Sequence, residues 1–205
     1  MEKKFVIFDF DGVIVDSFSL ALEINRRTIP GLTLEEYSKK FEGNINETMA
    51  KYNFDTGREQ EYFKEYGSCL NTRKLISGIK ETILSLAQKY SLVIVSSTTT
   101  EIIKKYLRCH ELKGSFLDVL GNDVNYSKVH KFKMIFKKYN IEANDCVFIT
   151  DTLGDIREAE EVGIPTIAVT GGFHDEKTLK KGNPIAITHN SKDLLKKVES
   201  VLNNN

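Results

Sequence analysis

From residue 78 onward, short apolar segments alternate with amphipathic segments, and few folds are compatible with this alternation. The apolar segments are rich in β-branched residues, as buried strands are, and the segments between them repeat apolar residues every three to four positions, as helices do. Such alternation predicts βαβ units and therefore a parallel sheet covered by helices. The predicted strands are 91–96, 116–121, 146–150, 165–170 and 185–188, and the predicted helices are 79–89, 99–108, 128–139, 155–162, 175–181 and 191–202.

One more strand is predicted close to the N-terminus, far from the others in sequence. The apolar run 5–8 indicates it, and the region 18–72 that follows has helical periodicity with no convincing strand. We therefore expect an α/β core made of residues 1–15 and 78–205, interrupted by an all-helical insert at residues 16–77. A chain of 205 residues is long enough for one good core and a second small unit.

Pairs of aspartates stand directly after two of the predicted strands. Asp9 and Asp11 follow the first strand, and Asp151 and Asp155 follow the strand at 146–150. Positions i and i+2 of a strand point to the same side, and buried carboxylates are unfavourable unless a cation balances them. Open α/β sheets bind ligands beyond the carboxyl ends of their strands. The pattern favours a site for a hard divalent cation and a phosphoryl substrate, although the first pair could instead cap the following helix.

Other candidate residues lie at the same edge of the predicted sheet. Gly12 allows the backbone to turn sharply and to approach a ligand. Ser96 and Ser97 follow the second predicted strand, and such a turn can hold phosphate oxygens, with helix capping as the alternative. Lys128 opens a helix, where a cation is poorly placed relative to the helix dipole, and this misfit suggests a binding role. Lys131 is a competing candidate, and both could be ordinary solvated lysines.

These segments, in this order, resemble the four motifs of the haloacid dehalogenase superfamily of phosphohydrolases. The likeness extends over nearly the whole chain, including the turn at 77–81 and the strand and loop at 163–174, which are similar to those of phosphoglycolate-phosphatase-like members. The resemblance implies a Rossmann-like parallel-sheet core with a helical cap domain at 16–77. The cap would hinge near residues 14–18 and 73–78 and would close over the carboxyl ends of the strands.

The resemblance also implies a role for each candidate residue in a two-step phosphoryl transfer. Asp9 would be the nucleophile that forms an aspartyl-phosphate, and Asp11 would be the general acid and base. The residues holding the phosphate would be Gly12, Ser96, Ser97 and Lys128. The cofactor would be Mg²⁺, and its ligands would come from Asp9, Asp11, Asp151 and Asp155, with Asp11 using its backbone carbonyl and Asp155 acting at longer range or through water.

The chain departs from the family pattern at positions that carry no reacting group. Ser77 stands where proline is frequent, Thr150 stands where glycine is frequent, and the Lys-Pro pair usual in the third motif of phosphoglycolate-phosphatase-like enzymes is missing. Asp11 favours C–O–P cleavage, because members that cleave carbon–halogen or phosphonate bonds lack it. We therefore expect a phosphatase acting on a small phosphate monoester. The alternatives are a sugar phosphomutase of the β-phosphoglucomutase type and a non-catalytic phospho-ligand-binding protein.

The insert would determine selectivity for the leaving group. Its candidates for contact with that group are Arg26, Arg27, Arg58, Asn44 and Tyr52, although each could be an ordinary surface or packing residue. The sequence alone therefore predicts the reaction class and leaves the substrate open.

Composition argues against several other classes of protein. The 29 basic and 29 acidic side chains balance, unlike those of a general nucleic-acid binder. The three scattered cysteines suggest a reducing compartment without a disulfide framework, and no zinc-ligand spacing is present. The apolar run before Asp9 is too short for a signal peptide or a membrane span. We expect a cytoplasmic monomer or small homo-oligomer whose partner is a small phosphorylated metabolite, rather than nucleic acid or a membrane.

Overall fold

The computed structural model describes residues 4–45, 48 and 56–203. The strands are β1 (Phe5–Phe8), β2 (Ser91–Val95), β3 (Asp118–Leu120), β4 (Cys146–Thr150), β5 (Thr166–Val169) and β6 (Ala186–Thr188). They form one sheet in the order β3-β2-β1-β4-β5-β6, and every neighbouring pair is parallel. This confirms the predicted α/β class with a Rossmann-like parallel sheet.

The order of the strands places the carboxyl ends of β1 and β4 at the centre of the sheet. From β1 the chain builds outward on one side through β2 and β3, and it then builds outward on the other side through β4, β5 and β6. A crevice forms where the winding reverses, beyond the carboxyl ends of the strands. The residues that follow β1 and β4 therefore meet across this crevice.

The central strand β1 is buried on both faces. Val6 and Phe8 pack into the apolar cluster on one face, whereas Phe5 and Ile7 pack into the cluster on the other. Successive side chains alternate between the two faces of a strand, so a strand covered on both faces is a continuous apolar run. This is why so short a segment could be recognised in the sequence.

Helices follow the strands nearly as predicted. In the insert they are α1 (Phe18–Thr28), α2 (Leu34–Lys39) and α3 (Thr56–Leu70), and in the core they are α4 (Ile79–Ala87), α5 (Thr100–Cys109), α6 (Lys128–Tyr139), α7 (Leu153–Glu160), α8 (Glu176–Leu179) and α9 (Ser191–Asn203). The helix predicted at 155–162 begins earlier, because the Thr152 hydroxyl caps it by accepting a hydrogen bond from the Asp155 N–H (3.3 Å). Asp155 therefore lies in the first turn of α7, where the helix dipole favours a carboxylate.

Two backbone segments connect the insert to the core side by side. Val15 forms an isolated bridge with Leu75, and the Ile76 N–H donates to the Ile14 carbonyl (3.0 Å). These contacts lie in the two segments predicted as hinges. The division of the chain at residues 16–77 stays a prediction.

The described part of the insert is helical. Within residues 18–45, 48 and 56–72 the structure contains no extended strand. Met49 and Tyr52, which belonged to the predicted helical pattern, lie outside the described residues. No helix in the described ranges is long and apolar enough to cross a membrane.

Candidate active site

Asp9 is placed by β1 at the centre of the crevice. Its N–H donates to the Ile149 carbonyl (2.8 Å), which extends the pairing of β1 with β4 by one residue. Asp9 is 5% exposed, and its Oδ1 atom accepts a hydrogen bond from the Phe10 N–H (2.7 Å). The carboxylate is thereby held in one orientation at the end of a rigid strand, as a catalytic group requires.

A buried lysine links Asp9 to Asp155. The Nζ atom of Lys128 lies 3.0 Å from Oδ1 of Asp9 and 2.6 Å from Oδ2 of Asp155. The Thr150 hydroxyl donates to the same Asp155 oxygen (2.7 Å). Because Lys128 is only 2% exposed, these two carboxylates compensate most of its charge. Removing Lys128 would leave both buried carboxylates without their cationic partner, which is strongly unfavourable.

Lys131 lies one helical turn further along α6 and does not share this position. Its Nζ atom donates to the Ser96 carbonyl (2.6 Å) and to the Gly121 carbonyl (3.4 Å). Burial, together with the charge of Lys128, lowers the pKa of Lys131 to about 7. Lys131 thus supports the turn after β2, whereas Lys128 is the lysine that contacts the aspartates.

Burial dominates the ionisation of the buried carboxyl groups. It raises the pKa of Asp9 well above its usual range, Asp155 and Asp151 raise it further, and Lys128 opposes the rise. Burial also raises the pKa of Asp151 to about 8, with Asp155 and Asp11 contributing. At Asp155 burial is the largest effect, but the charge of Lys128 and hydrogen bonds with Asp9, Lys128 and Thr150 together outweigh it and lower the pKa. Three ionised carboxylates would carry more negative charge than one lysine compensates, so a bound cation would favour their ionised forms.

Asp11 lies in the same crevice and accepts hydrogen bonds from hydroxyl groups on both sides. The Ser17 hydroxyl donates to its Oδ1 atom (2.7 Å), and the Thr98 hydroxyl donates to its Oδ2 atom (2.7 Å). The Tyr66 hydroxyl, which comes from α3 of the insert, also donates to Oδ1. Burial, with the charge of Asp11, raises the pKa of Tyr66, so the phenol keeps its proton and remains a donor.

Asp151 is buried at the end of β4 and has one oxygen without a protein partner. Its Oδ2 atom accepts a hydrogen bond from the Phe173 N–H (2.6 Å). Its Oδ1 atom is buried without a hydrogen-bond partner among the described residues. Buried polar atoms are nearly always paired, so this oxygen indicates a ligand site. A carboxylate oxygen is the donor type that Mg²⁺ prefers.

The predicted metal ligands do not form a ready-made cluster. In the part of the chain that the structure describes, no group of three or more His, Cys, Asp or Glu side chains could hold a metal by itself. Asp155 is turned toward Lys128. Mg²⁺ needs no such cluster, because one or two carboxylates, with carbonyl, water and phosphate oxygens, complete its octahedral shell. Asp9 and Asp151 fit that requirement, and Asp155 fits it less well.

Gly12 brings the loop after β1 against Asp151. Its φ is +69°, a left-handed conformation that favours glycine, and a Cβ at this position would collide with the Asp151 side chain. Its N–H donates to the Val15 carbonyl (2.9 Å). This N–H is thus paired within the loop, and the phosphate-binding role of Gly12 stays a prediction. In the structure, the lack of a Cβ atom at Gly12 lets the loop after β1 pack closely against the Asp151 side chain.

The hydroxyl-rich turn after β2 faces the same cavity as Asp9 and Asp11. Ser96 is fully buried, and its hydroxyl oxygen accepts a hydrogen bond from the Thr98 N–H (3.0 Å). Ser97 is half-buried and also lines the cavity. The fold therefore brings both predicted phosphate-binding serines to the aspartates of β1.

The insert lies over the crevice and, with the core, lines a partly open cavity of about 640 Å³. This volume is typical of a small-molecule site. The core contributes Asp9, Asp11, Ser96, Ser97, Thr98, Asn125, Tyr126, Ser127, Lys128, His130, Thr152, Asp155 and Phe173 to the lining, and the insert contributes Ala21, Asn25, Tyr37, Phe41, Gly43, Asn44, Ile45, Glu59, Tyr62, Phe63 and Tyr66. The cavity therefore has a polar floor on the core and, on the insert, an aromatic roof formed by Tyr37, Phe41, Tyr62, Phe63 and Tyr66.

Hydrogen bonds join the insert to the core around this cavity. The Gly154 N–H donates to the Phe41 carbonyl (2.9 Å), and a Cβ on Gly154 would collide with the Gly43 carbonyl. The Nε2 atom of His174, which is buried, lies 2.9 Å from the Ser38 carbonyl. The glycine between Asp151 and Asp155 thus allows the insert to approach the core.

Several residues of the site were not identified from the sequence. Tyr66, Ser17 and His174 are residue types that are common in helices, caps and cores. Nothing in their local sequence pattern indicates the contacts that they make in the site. Thr98 follows the two predicted serines in a turn where helix capping is the ordinary role of a threonine, and Thr150 stands out in the sequence only as a departure from the family pattern. Their roles became visible because the fold brings separate segments together.

The chain matches the family model described as haloacid dehalogenase-like hydrolase over residues 6–169. It is 23% identical over 207 residues to a phosphoglycolate phosphatase of Synechococcus elongatus, with 96% of this chain and 98% of the relative covered. It is 28% identical over 186 residues to a phosphoglycolate phosphatase of Aquifex aeolicus, with 83% and 86% covered.

Solved structures show the same fold. A predicted phosphatase from Clostridium acetobutylicum is similar with a TM-score of 0.78 at 23% identity, covering 98% of this chain and 100% of that chain. CbbY from Rhodobacter sphaeroides, in complex with phosphate, is similar with a TM-score of 0.78 at 14% identity, covering 94% and 96%. At these identities the likeness concerns the fold alone. Because the family model spans most of the chain, the prediction from the motifs is confirmed: the chain belongs to the haloacid dehalogenase-like hydrolase family.

Proposed function

We propose that the protein is a Mg²⁺-dependent phosphatase that hydrolyses a small phosphate monoester through an aspartyl-phosphate on Asp9. One observation carries this proposal. Asp9 is buried at the end of β1 against Lys128, and Asp11 faces the same 640 Å³ cavity. A nucleophile, a cation for the phosphoryl oxygens and a second carboxyl group are thus brought together. The curated phosphoglycolate phosphatases similar to this chain support the reaction class.

The reaction consists of two displacements at phosphorus. The Asp9 carboxylate attacks in line, the phosphorus–oxygen bond to the alcohol breaks, and Asp11 gives its proton to the departing oxygen. Asp11 then takes a proton from water, which attacks the aspartyl-phosphate and releases inorganic phosphate and the Asp9 carboxylate. Lys128, Ser96 and Ser97 hold the phosphoryl oxygens and stabilise their charge.

The carboxylates suit a divalent cation. Asp9, Asp151 and the Asp11 backbone carbonyl would hold Mg²⁺, which when bound reduces the repulsion between the anionic nucleophile and the anionic substrate. The unpaired Oδ1 atom of Asp151 supports this assignment. Asp155 accepts a hydrogen bond from the Lys128 ammonium group and thereby orients this lysine.

The insert at residues 16–77 acts as the cap in this proposal. Its hydrogen bonds to the core surround the cavity, and Tyr66 reaches Asp11 from α3. A closed cap excludes bulk water from the anionic site and strengthens the electrostatic interactions within it. The catalytic carboxyl group is therefore fully supported only when the insert lies against the core.

The proposal is tested by measuring inorganic phosphate released from a panel of small phosphate monoesters, with Mg²⁺ and with a chelator. We expect release with Mg²⁺ and a loss of activity with the chelator that added Mg²⁺ reverses. Asp151→Asn is expected to raise the Mg²⁺ concentration for half-maximal rate more than Asp155→Asn does. No release from any monoester in Mg²⁺ contradicts the proposal. Conversion of a hexose 1-phosphate to its 6-phosphate without free phosphate, followed by phosphorus NMR, would favour the mutase alternative.

Tyr66→Phe is expected to lower kcat about tenfold for alkyl phosphates with little change in KM, because the variant loses one charge-assisted hydrogen bond to Asp11. The loss should be smaller for p-nitrophenyl phosphate, whose leaving group needs less protonation. Tyr90→Phe is the matched control, since Tyr90 is remote from the cavity and its hydroxyl bonds to Asn203 (3.4 Å). Equal losses for the two substrates would show that Tyr66 does not act through Asp11.

A further inference from the structure

The loop after β5 lies against the side chain of Asp151. The Phe173 N–H donates to Oδ2 of Asp151 (2.6 Å). The preceding residue is Gly172, where a Cβ atom would collide with the Asp151 side chain. The loop thus holds one oxygen of the carboxylate, whereas the other, Oδ1, has no hydrogen-bond partner among the described residues. The direction in which this unpaired oxygen points therefore depends on the position of the loop.

The insert holds the same loop through Phe173. The hydroxyl of Ser38, which lies in α2, donates to the Phe173 carbonyl (3.0 Å). The ring of Phe173 packs edge-to-face against Phe18 of α1 (4.9 Å between centroids) and against Phe41 (4.6 Å). Phe173 therefore contacts Asp151 through its N–H, and it contacts the insert through its carbonyl and its ring.

His174 forms a second bridge between the insert and the core. Its Nδ1 atom accepts a hydrogen bond from the Leu153 N–H (2.9 Å), and its Nε2 atom lies 2.9 Å from the Ser38 carbonyl. A backbone N–H can only donate and a carbonyl can only accept, so the proton of the ring is on Nε2. Burial lowers the pKa of His174, which favours this neutral form. Each ring nitrogen thus has a partner, one in the core and one in the insert.

These contacts also hold the backbone that follows Asp151. Leu153 and Gly154 begin α7, and the first N–H groups of a helix have no partner within the helix. The Leu153 N–H donates to His174, and the Gly154 N–H donates to the Phe41 carbonyl of the insert (2.9 Å). The insert therefore supports the backbone on the C-terminal side of Asp151 as well as the loop that holds its side chain.

We infer that His174 is a positioning residue for Asp151, and that it keeps the carboxylate oriented for a cation only while the insert lies against the core. This inference rests on the proposed Mg²⁺-dependent function. Ser38 contributes to the same bridge from the insert. Because coupling between two events is reciprocal, a cation bound at Asp151 stabilises the packing of the insert on the core by the same free energy. Cation binding and closure of the insert over the substrate thus favour each other.

The test measures binding of Mn²⁺, which like Mg²⁺ prefers octahedral oxygen ligands, by electron paramagnetic resonance of the free ion. His174→Leu, which removes both hydrogen bonds, is expected to raise the dissociation constant about tenfold, the lower end of the range for residues that orient metal ligands. His174→Gln is the matched control. Its amide offers one oxygen acceptor and an N–H donor, so it should bind Mn²⁺ nearly as tightly as the wild type.

A second pair of variants tests the bridge from the insert. Ser38→Ala, which removes the hydrogen bond to the Phe173 carbonyl, should raise the Mn²⁺ dissociation constant about two- to tenfold. Ser68→Ala is its control, since Ser68 is an exposed residue of α3 whose hydroxyl donates to the Glu65 carbonyl (2.7 Å). This control should bind Mn²⁺ as the wild type does.

Phosphate release supplies a second readout for His174→Leu. We expect a slower rate than that of the wild type at low Mg²⁺ and recovery of most of the rate at saturating Mg²⁺, with the KM for the monoester nearly unchanged. A residue that only stabilises the fold would not produce this dependence on Mg²⁺. A loss of rate that saturating Mg²⁺ does not reduce would contradict the positioning role.

The outcomes separate the inference from the proposed function. Equal Mn²⁺ affinities of the wild type and His174→Leu overturn the inference and leave the phosphatase proposal intact. Binding to His174→Gln as weak as to His174→Leu also overturns it, because the hydrogen bonds would then not be the cause. No binding to the wild type contradicts the proposed metal dependence together with the inference. If thermal unfolding shows that His174→Leu does not fold, equal affinities of Ser38→Ala and Ser68→Ala overturn the inference.

Discussion

Replacing Asp9 with asparagine is expected to lower the rate of phosphate release at least about a thousandfold, because loss of a covalent nucleophile removes most of the stabilisation of the transition state. The fold should be retained. Burial raises the pKa of Asp9, so the folded protein gains little from its charge, and an amide of the same shape fits the site. Lys128 keeps Asp155 as a partner in the variant.

The comparison requires phosphate release measured under saturating Mg²⁺, with thermal unfolding recorded for each protein. Asp118→Asn serves as the matched control. Asp118 begins β3, an edge strand of the sheet, and pairs with Lys138 (2.6 Å). Mass spectrometry of the acid-quenched reaction should detect a phosphorylated wild-type enzyme and an unmodified Asp9→Asn variant. A variant that retains more than about a hundredth of the wild-type rate would exclude Asp9 as the nucleophile.

Replacing Asp11 with asparagine is expected to lower kcat/KM for alkyl phosphates about 100- to 10,000-fold, the usual contribution of a general acid. The loss should be much smaller for p-nitrophenyl phosphate, because p-nitrophenolate departs without a proton. Asparagine keeps an oxygen that accepts hydrogen bonds from the Ser17 and Thr98 hydroxyls, so the local structure should persist.

The measurement is a series of aryl and alkyl phosphates with leaving alcohols of rising pKa. For the wild type the rate should depend weakly on that pKa, and for Asp11→Asn it should fall steeply as the pKa rises. Asp16→Asn is a suitable control, since Asp16 lies near Asp11 in sequence but is exposed and outside the cavity lining. Parallel slopes for wild type and Asp11→Asn would remove Asp11 from the role of acid.

The sequence was sufficient for the sheet and for the position of Asp9, the proposed nucleophile, at the end of β1. The run 5–8 is apolar at every position because β1 is covered on both faces, and Asp9 must therefore emerge at the end of a buried central strand. Asp151 and Asp155 could be assigned to the same edge of the sheet, because they follow the apolar run of β4. These patterns involve residues that are contiguous in the chain, so they can be recognised without the tertiary structure.

The choice between Lys128 and Lys131 required the tertiary structure. Both lie near the start of α6 and three residues apart, so they project from similar faces of the helix. Only the packing of α6 against the sheet places the first beside Asp9 and Asp155 and the second beside the carbonyls of the turn after β2. One helical turn thus separates Lys128, the proposed phosphate-binding lysine, from Lys131, which supports the turn after β2.

What surrounds Asp11, and what surrounds the leaving group, also depended on the tertiary structure. The hydroxyls that donate to Asp11 come from Ser17, Tyr66 and Thr98 in three separate segments. The aromatic roof combines α3 with α2 and the turn after it. Tyrosine and phenylalanine at helical spacing form ordinary core far more often than a binding site, so periodicity could not distinguish the two roles. The sequence thus determined the strand ends at which the chemistry is placed, because apolar runs and the residues after them are contiguous. The tertiary structure decided the partners of each group, because those partners meet only when the insert packs on the core.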